Sequence, residues 1–391
     1  MSLHSQMIEQ DKFTGRLGIQ QRVLPEYRTS FFEALAAECQ GGLSIFAGEV
    51  HPEESIPTTE QLNSIKFVKA RNRHFGRVQS PYYFLWQGGL MDWLSEWNPD
   101  ALVVEANPRY LSTGRAIRWM HRRSKPVIGW GLGAPQIKDQ SSLIGRFIVA
   151  WRRRSRRRLI SDVDAIIAYS HIGANEYASI LSPTKSIYTA TNAVASKPFG
   201  NPPSRSPEIN NRANVLFVGR LQQRKRIDNL LKACASLPES IQPRLTIIGD
   251  GPERDSLRDM AKNVYPMAEF PGSKQGNDLE RYFIEADLFV LPGTGGLAVQ
   301  EAMAYGLPVI VAEGDGTQAD LVRSGNGWLI PANDDLALVK ALEGALSDPV
   351  LLRKMGAESF RIVQNEINIE QMVKVFVEAL NSTHFSPEEG L

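Results

Sequence analysis

Cysteine, histidine and long apolar runs are scarce in this 391-residue chain, and each scarcity removes a class of protein. Only two cysteines occur, Cys39 and Cys234, far apart and in no CxxC or Cys/His cluster. That excludes a disulfide framework and a structural zinc site and suits a reducing compartment. The six histidines (4, 51, 74, 121, 171 and 384) stand at no ligand spacing from one another, so no metal is expected. No uncharged apolar run approaches the roughly eighteen residues of a membrane span, and "MSLHSQMIEQDKFTGRLGIQ" holds no apolar core of a signal peptide. The expected location is cytoplasmic, with peripheral attachment at the inner face of the membrane. Apolar residues at 42% and charged residues at 22% match a soluble globular chain, so disorder and fibrous architectures are excluded as well.

Acids are missing from one stretch in particular. Between Ala106 and Ser161 there are fourteen Lys and Arg and a single acid, Asp139, although the net charge of the chain is only +1. Such a segment asks for an anionic partner. The core of the run, "RRRSRRR" (152–158), contains no aromatic residue, which argues against stacking on a nucleic acid. In "SSLIGRFIVAWRRRSRRRLI" (141–160), Ile144, Phe147, Ile148 and Trp151 share one helical face. The expectation is an anionic membrane surface met by Arg152 to Arg158; the plainer reading is a solvated basic helix whose apolar face lies in the core.

What is present is a rhythm of short β-branched runs alternating with helical patterns, the form of parallel sheets built from βαβ units. The runs are "GLSIFAG" (42–48), "SIKFVKA" (64–70), "DALVVE" (100–105), "PVIGW" (126–130) and "DAIIAYS" (164–170), then "NVLFVG" (214–219), "RLTIIG" (244–249), "DLFVLP" (287–292) and "PVIVA" (308–312). Between the two series, Pro198, Pro202, Pro203 and Pro207 mark a linker. The expected organisation is an α/β protein with a Rossmann-like domain over 1–197, a linker over 198–211, a second such domain over 212–365, and a terminal helix and tail over 366–391 that cross back to the first domain. The aromatic-rich "YYFLWQGGLMDWLSEW" (82–97) reads as a packed helix.

In open parallel sheets ligands sit beyond the carboxyl ends of the strands. After "NVLFVG" come Arg220 and Lys225, two cations suited to a diphosphate. After "DLFVLP" come Gly293, Thr294, Gly295, Gly296 and Leu297, where glycines admit close backbone approach and a helix begins with unpaired N–H groups. Glu301, one turn into that helix, suits the vicinal hydroxyls of a ribose. The segment "DGPERDSL" reads as capping chemistry, His171 as a helix cap, and the "DVD" of Asp162 to Asp164 as a helix end leading into a strand. In the first half, Arg28, Glu105, Asn107 and Arg109 are acceptor-side candidates by position at strand ends.

The ordered set "VGRLQQRKRIDNLLKA", "LTIIGDGPERDSL", "FPGSKQGNDLERYFIEADLFVLPG", "VQEAMAYGLPVIVAEGDGTQADLV" and "SGNGWLI" resembles, over about 160 residues, the nucleotide-sugar half of the family 4 retaining glycosyltransferases. "LPEYRTSFFEAL", "KPVIGWGLG" and "AYSHIGANEY" resemble the first half of that family more loosely. The resemblance implies the GT-B fold: two Rossmann-like doubly wound domains facing across a cleft, the donor on the second and the acceptor on the first. It implies that Arg220 and Lys225 stabilise the leaving diphosphate, that Gly293 to Leu297 and Lys274 hold the donor, and that Glu301 holds its ribose. The implied reaction is retaining transfer from a nucleotide diphosphate sugar, a UDP-sugar with guanosine as runner-up, to a glycan or lipid-linked acceptor in polysaccharide or glycoconjugate biosynthesis. No metal or other cofactor is implied. The chain departs from the family at two positions: Gly293 stands where the first of a glutamate pair is usual, and Leu132 where a histidine is often found. The alternative is therefore a catalytically silent partner that binds sugar nucleotides.

Overall fold

A computed structural model describes residues 12–54, 56–78, 80, 82–135, 143–181, 184–209 and 211–383. The chain divides into two compact units, one formed by the chain up to Asn192 and from Ile369 onward, the other by Ala193–Asn368.

The first unit is built on one eight-stranded sheet. Its strands are β1 (Leu17–Val23), β2 (Leu43–Gly48), β3 (Lys66–Phe75), β4 (Phe84–Gly88), β5 (Ala101–Glu105), β6 (Val127–Gly131), β7 (Ala165–Ala168) and β8 (Ser186–Thr189). Their order is β4-β3-β2-β1-β5-β6-β7-β8, parallel except for β4 on β3. The helices are α1 (Thr29–Ala37), α2 (Leu90–Trp97), α3 (Thr113–His121), α4 (Leu143–Asp162) and α5 (His171–Ala178).

Strand β1 was absent from the apolar runs because Gln20 and Gln21 lie at its centre; both are buried, and Gln20 Nε2 donates to Gln87 Oε1 (2.9 Å) while Gln87 Nε2 donates to the Gln21 carbonyl (2.9 Å). The stretch 82–97, expected as one helix, is β4 followed by α2. Gly89, at φ +88°, makes the corner between them and breaks the helical continuity.

The second unit holds β9 (Asn214–Val218), β10 (Arg244–Ile248), β11 (Ala268–Gly272), β12 (Leu288–Leu291), β13 (Val309–Ala312) and β14 (Gly327–Ile330) in the order β11-β10-β9-β12-β13-β14, all parallel. Its helices are α6 (Ile227–Ser236), α7 (Arg254–Val264), α8 (Asn277–Glu285), α9 (Leu297–Ala304), α10 (Gln318–Leu321), α11 (Asp335–Leu346) and α12 (Pro349–Asn365). Every residue of β12 and β13 is buried, as in a parallel sheet covered on both faces.

The first unit gives way to the second between Asn192 and Ala193, ahead of the prolines, and the chain rejoins the first unit at Ile369. The proline-rich stretch is not a free linker: Arg205 donates from Nε to the Ala286 carbonyl (2.8 Å), from Nη1 to that of Tyr305 (2.9 Å) and from Nη2 to that of Phe283 (2.8 Å), which fixes the stretch on the second unit. The final helix, α13 (Ile369–Thr383), belongs to the first unit, where the Phe376 ring packs 5.0 Å from both Phe31 and Trp130.

Candidate functional site

In the second unit β9 lies beside β12, and there the order of connection across the sheet reverses. Loops leaving the carboxyl ends of such neighbours diverge and open a crevice. From β9 the chain runs through Arg220 into a short 3-10 turn, Gln223–Lys225; from β12 it runs through Pro292 to Gly296 before α9. The two loops touch through main chain. Thr294 N–H donates to the Arg224 carbonyl (3.1 Å), and Arg224 Nη1 donates to Thr294 Oγ1 (3.3 Å). A Cβ on Gly293 would lie 2.2 Å from the Arg224 carbonyl oxygen, so no side chain fits at the position where a glutamate is usual.

Gly295 adopts φ +131°, and a Cβ there would lie 2.3 Å from Lys225 Nζ. The ammonium thus rests directly on the glycine backbone. Lys225 has no ion pair among the described residues; burial first, and the neighbouring Arg224 second, push its pKa down to about 8. No side chain caps α9; Val299 N–H donates to the Gly296 carbonyl (3.1 Å), and the N–H groups of Leu297 and Ala298 are left for a ligand. An ammonium short of counter-charge beside free amides is an arrangement that receives an anion.

Arg220 is exposed at the same strand end. Glu301 is the single exposed residue of α9. Its carboxyl has no hydrogen-bond partner among the described residues, and the protein packed around it raises its pKa by desolvation. The adjacent Gln300 does the opposite: it is buried, its Oε1 accepts from Val194 N–H (2.6 Å) and Ala195 N–H (3.0 Å), and its Nε2 donates to the Ile367 carbonyl (2.7 Å). Lys274 follows β11, on the same edge of the sheet but two strands from β9.

Gln318 was not a candidate from sequence, yet its Nε2 donates to the Gly295 carbonyl (3.1 Å) and its Oε1 accepts from Asp315 N–H (3.1 Å), which pins the glycine loop from β13's side. Only its burial marks it, and burial cannot be read from one polar residue. The "DGPERDSL" segment places Asp255 in the first turn of α7 but supplies no side-chain cap, and Asp250 Oδ1 accepts from Gly251 N–H (2.7 Å) within the turn.

The first unit repeats the reversal between β1 and β5. Arg28, just after β1, is buried with its guanidinium 4.2 Å over the Trp130 ring and 5.2 Å over Tyr169, and Nη2 donates to Tyr169 Oη (3.1 Å). Nearby a cavity of about 430 Å³ is lined by residues from the ends of β1, β5, β6 and β7 and from α4. Glu105 lines it; burial is the main influence and raises its pKa, with Arg22 and Arg28 pulling the other way, and Oε2 has no partner among the described residues. Asn107 serves its own loop, because its Oδ1 accepts from Arg109 N–H (3.1 Å) and Nε (3.3 Å). Leu132 also lines the cavity.

His171 is not the cap expected of it: Ser170 caps α5, its Oγ accepting from Gly173 N–H (3.0 Å). The "DVD" residues close α4 and lead into β7, with Asp164 Oδ2 accepting from Val127 N–H (2.7 Å). Among the described residues no three His, Cys, Asp or Glu come together to hold a metal ion.

Helix α4 sorts its residues differently from the expected face. Val149, Leu159 and Ile160 are buried, Ile148 is half-buried, and Phe147 is 74% exposed. Trp151, 36% exposed, meets the Phe84 ring edge-on at 5.2 Å; the Ile144 side chain lies outside the described residues. Arg154, Arg157 and Arg158 are exposed near Phe147 and Trp151, whereas Arg152 and Arg156 turn inward and line the cavity. No described helix is long and apolar enough to cross a membrane.

Residues 203–361 match the family model described as glycosyl transferases group 1. Escherichia coli (strain K12) WcaL, named as a colanic acid biosynthesis glycosyltransferase, is 27% identical over 191 residues, covering 46% of this chain and 47% of its own. A GDP-mannose-dependent alpha-mannosyltransferase of Mycobacterium tuberculosis is 36% identical over 123 residues, or 31% and 30% of the two chains. The chain thus spans about half or less of the length of these relatives. The solved Anabaena protein HepE in complex with UDP superposes with a TM-score of 0.67 at 15% identity over 94% of this chain and 99% of that one. Sucrose-phosphate synthase from Thermosynechococcus elongatus gives 0.65 at 18% identity, over 94% and 98%.

Proposed function

From the match of residues 203–361 to the glycosyl transferases group 1 model and the likeness in fold to GT-B glycosyltransferases, we propose that this protein transfers a sugar from a nucleotide diphosphate sugar to a glycan or lipid-linked acceptor in polysaccharide or glycoconjugate biosynthesis. The observation that carries the proposal is the Lys225 ammonium seated on the glycine loop before the uncapped α9. Catalysis of this transfer is stabilisation of the departing diphosphate. A pre-placed ammonium, the exposed Arg220 and the amides of α9 supply it without reorganisation at the moment of reaction. A bound diphosphate also returns to Lys225 the charge that burial weakens.

Retention follows if the departing phosphate oxygen itself takes the acceptor proton on the face it leaves, a route that needs no side-chain base where Leu132 stands. The cations do the electrostatic work, so the reaction is proposed to run without metal. Glu301, open to solvent, accepts from ribose hydroxyls, and Lys274 reaches the donor from the β11 side. Uridine is supported by the UDP held in the Anabaena protein of the same fold. Calorimetry with UDP- and GDP-sugars, each with and without EDTA, tests donor and metal together. UDP-sugar binding unaffected by chelator is expected; heat that vanishes with EDTA overturns metal independence. Binding of donor without turnover on any acceptor would assign the silent-partner role that Gly293 and Leu132 raise.

The exposed aromatic and arginine face of α4 supports a second part of the proposal, attachment to an anionic bilayer from the cytoplasmic side. Phe147 and Trp151 suit the headgroup boundary, and each arginine facing it contributes about 1 kcal/mol. Cosedimentation with anionic vesicles should fall steeply as salt rises and be lost in a Phe147→Ser/Trp151→Ser/Arg154→Ser/Arg157→Ser variant. Equal binding to neutral vesicles removes the membrane role.

A further inference from the structure

Three arginines converge on the cavity of the first unit without an ion-pair partner among the described residues. Arg109 comes from the loop after β5, and Arg152 and Arg156 lie one turn apart on α4; all three line the same 430 Å³ space. None is in an ion pair among the described residues. Arg109 Nε is bonded to Asn107 Oδ1 (3.3 Å), Arg156 Nη1 to the Pro135 carbonyl (2.5 Å), and Arg152 has no bonded partner among them. The lining also holds Arg22, which is paired with Glu54, and one acid, Glu105, which feels the charges of Arg22 and Arg28.

This arrangement is unfavourable without a ligand. Burial, and after it the neighbouring arginines, lower the pKa of both Arg152 and Arg156. Like charges gathered in a recess mark the place of an anion. Guanidinium forks match the tetrahedral oxygens of a phosphate in particular. A neutral sugar needs hydroxyl partners such as Glu105 and Asn107 and gains little from three cations.

We infer that the first unit binds its acceptor through a phosphoryl group, so that the acceptor is a phosphate or diphosphate ester held by Arg109, Arg152 and Arg156. The inference rests on the reading of this unit as the acceptor side and narrows it from any glycan to an anionic one. Glu105, deeper in the cavity, remains for a hydroxyl of the same molecule. The ester has two possible sources, a water-soluble sugar phosphate or a lipid diphosphate. The outward face of α4 bears on the choice, since Phe147 and Trp151 sit on the turns that carry Arg152 inward.

The test is calorimetry of the full chain with inorganic pyrophosphate while UDP saturates the second unit. Wild type should bind, and an Arg152→Gln/Arg156→Gln variant should bind about tenfold or more weakly. Arg109→Lys, which keeps charge and loses the fork, should fall between. Arg122→Gln, exposed just past α3, should match wild type. Thermal melting of each variant identifies any that misfolds. Equal pyrophosphate affinity in wild type and the double variant, or no binding by wild type at millimolar concentration, overturns the inference. UDP titration of the same proteins is unaffected by that failure; loss of UDP binding in wild type strikes the donor reading instead. Farnesyl diphosphate separates the sources. Tighter binding than pyrophosphate that is reduced by Trp151→Ser supports a lipid ester, and affinity equal to pyrophosphate supports a soluble one.

Discussion

The two units share a strand order, β3-β2-β1-β5-β6-β7 in the first and β11-β10-β9-β12-β13-β14 in the second, and they build opposite things at the equivalent reversal. In the second unit the site is main chain: glycines with no room for a Cβ, the free amides of α9, and one ammonium laid across them. In the first it is side chain: a guanidinium on the faces of Trp130 and Tyr169, a buried carboxyl, and arginines turned inward from α4. A main-chain site suits what every donor of the proposed class has in common, a diphosphate, and has little to vary. A side-chain site is rebuilt by substitution, so the same fold can take different acceptors.

That contrast breaks if damage to one unit is felt in the other. Arg28→Ala empties the space over Trp130 and leaves Glu105 with less counter-charge, and should destabilise the first unit by about 3 kcal/mol in denaturant unfolding. UDP affinity should not change; a loss beyond about twofold would mean that the two sites are not independent.

Lys225→Gln should weaken UDP binding by on the order of 100-fold with little change in melting temperature, because the lost term is a charge-assisted bond to phosphate. The same lysine predicts a pH dependence. Its pKa in the free protein is about 8, and a bound diphosphate raises it, so binding takes up protons near and above pH 8. UDP affinity should therefore fall as pH rises through about 8 in wild type and stay flat in Lys225→Gln. A flat wild-type profile would remove Lys225 from the phosphate.

The smallest effect belongs to Glu301→Gln, about tenfold in UDP affinity, since the carboxyl is exposed and its bonds to ribose compete with water. Loss of uridine but not of pyrophosphate affinity in that variant would sharpen its role to the ribose. Gln300→Glu would serve as its foil, because a carboxylate there cannot donate to the Ile367 carbonyl and would unsettle the fold instead.

The site proposed for the donor was legible because its determinants are local. Strand β12, the glycines after it and the start of α9 follow within fourteen residues, and β9 leads straight to Arg220 and Lys225. The site proposed for the acceptor was legible only as positions. Arg28 meets Tyr169 across 141 positions of sequence, and no spacing announces that meeting. Glu105, Asn107 and Arg109 all line the cavity, and Asn107 also accepts from Arg109.

Sequence by itself determined the alternation of strands and helices, the glycine loop, the cations beside it and the basic run, because each depends on side-chain type and on neighbours a few positions away. Tertiary structure alone decided the rest. It made a strand of "LGIQQRV" by supplying Gln87 to its glutamines, fixed the proline-rich stretch through Arg205, and pinned the glycine loop through Gln318. It also divided one run of arginines into an inward pair and an outward face. A helix turns about 100° per residue, so consecutive charges must point in different directions. Which of those directions faces a cavity is set by what packs against the helix, and that is decided by residues far away in the chain.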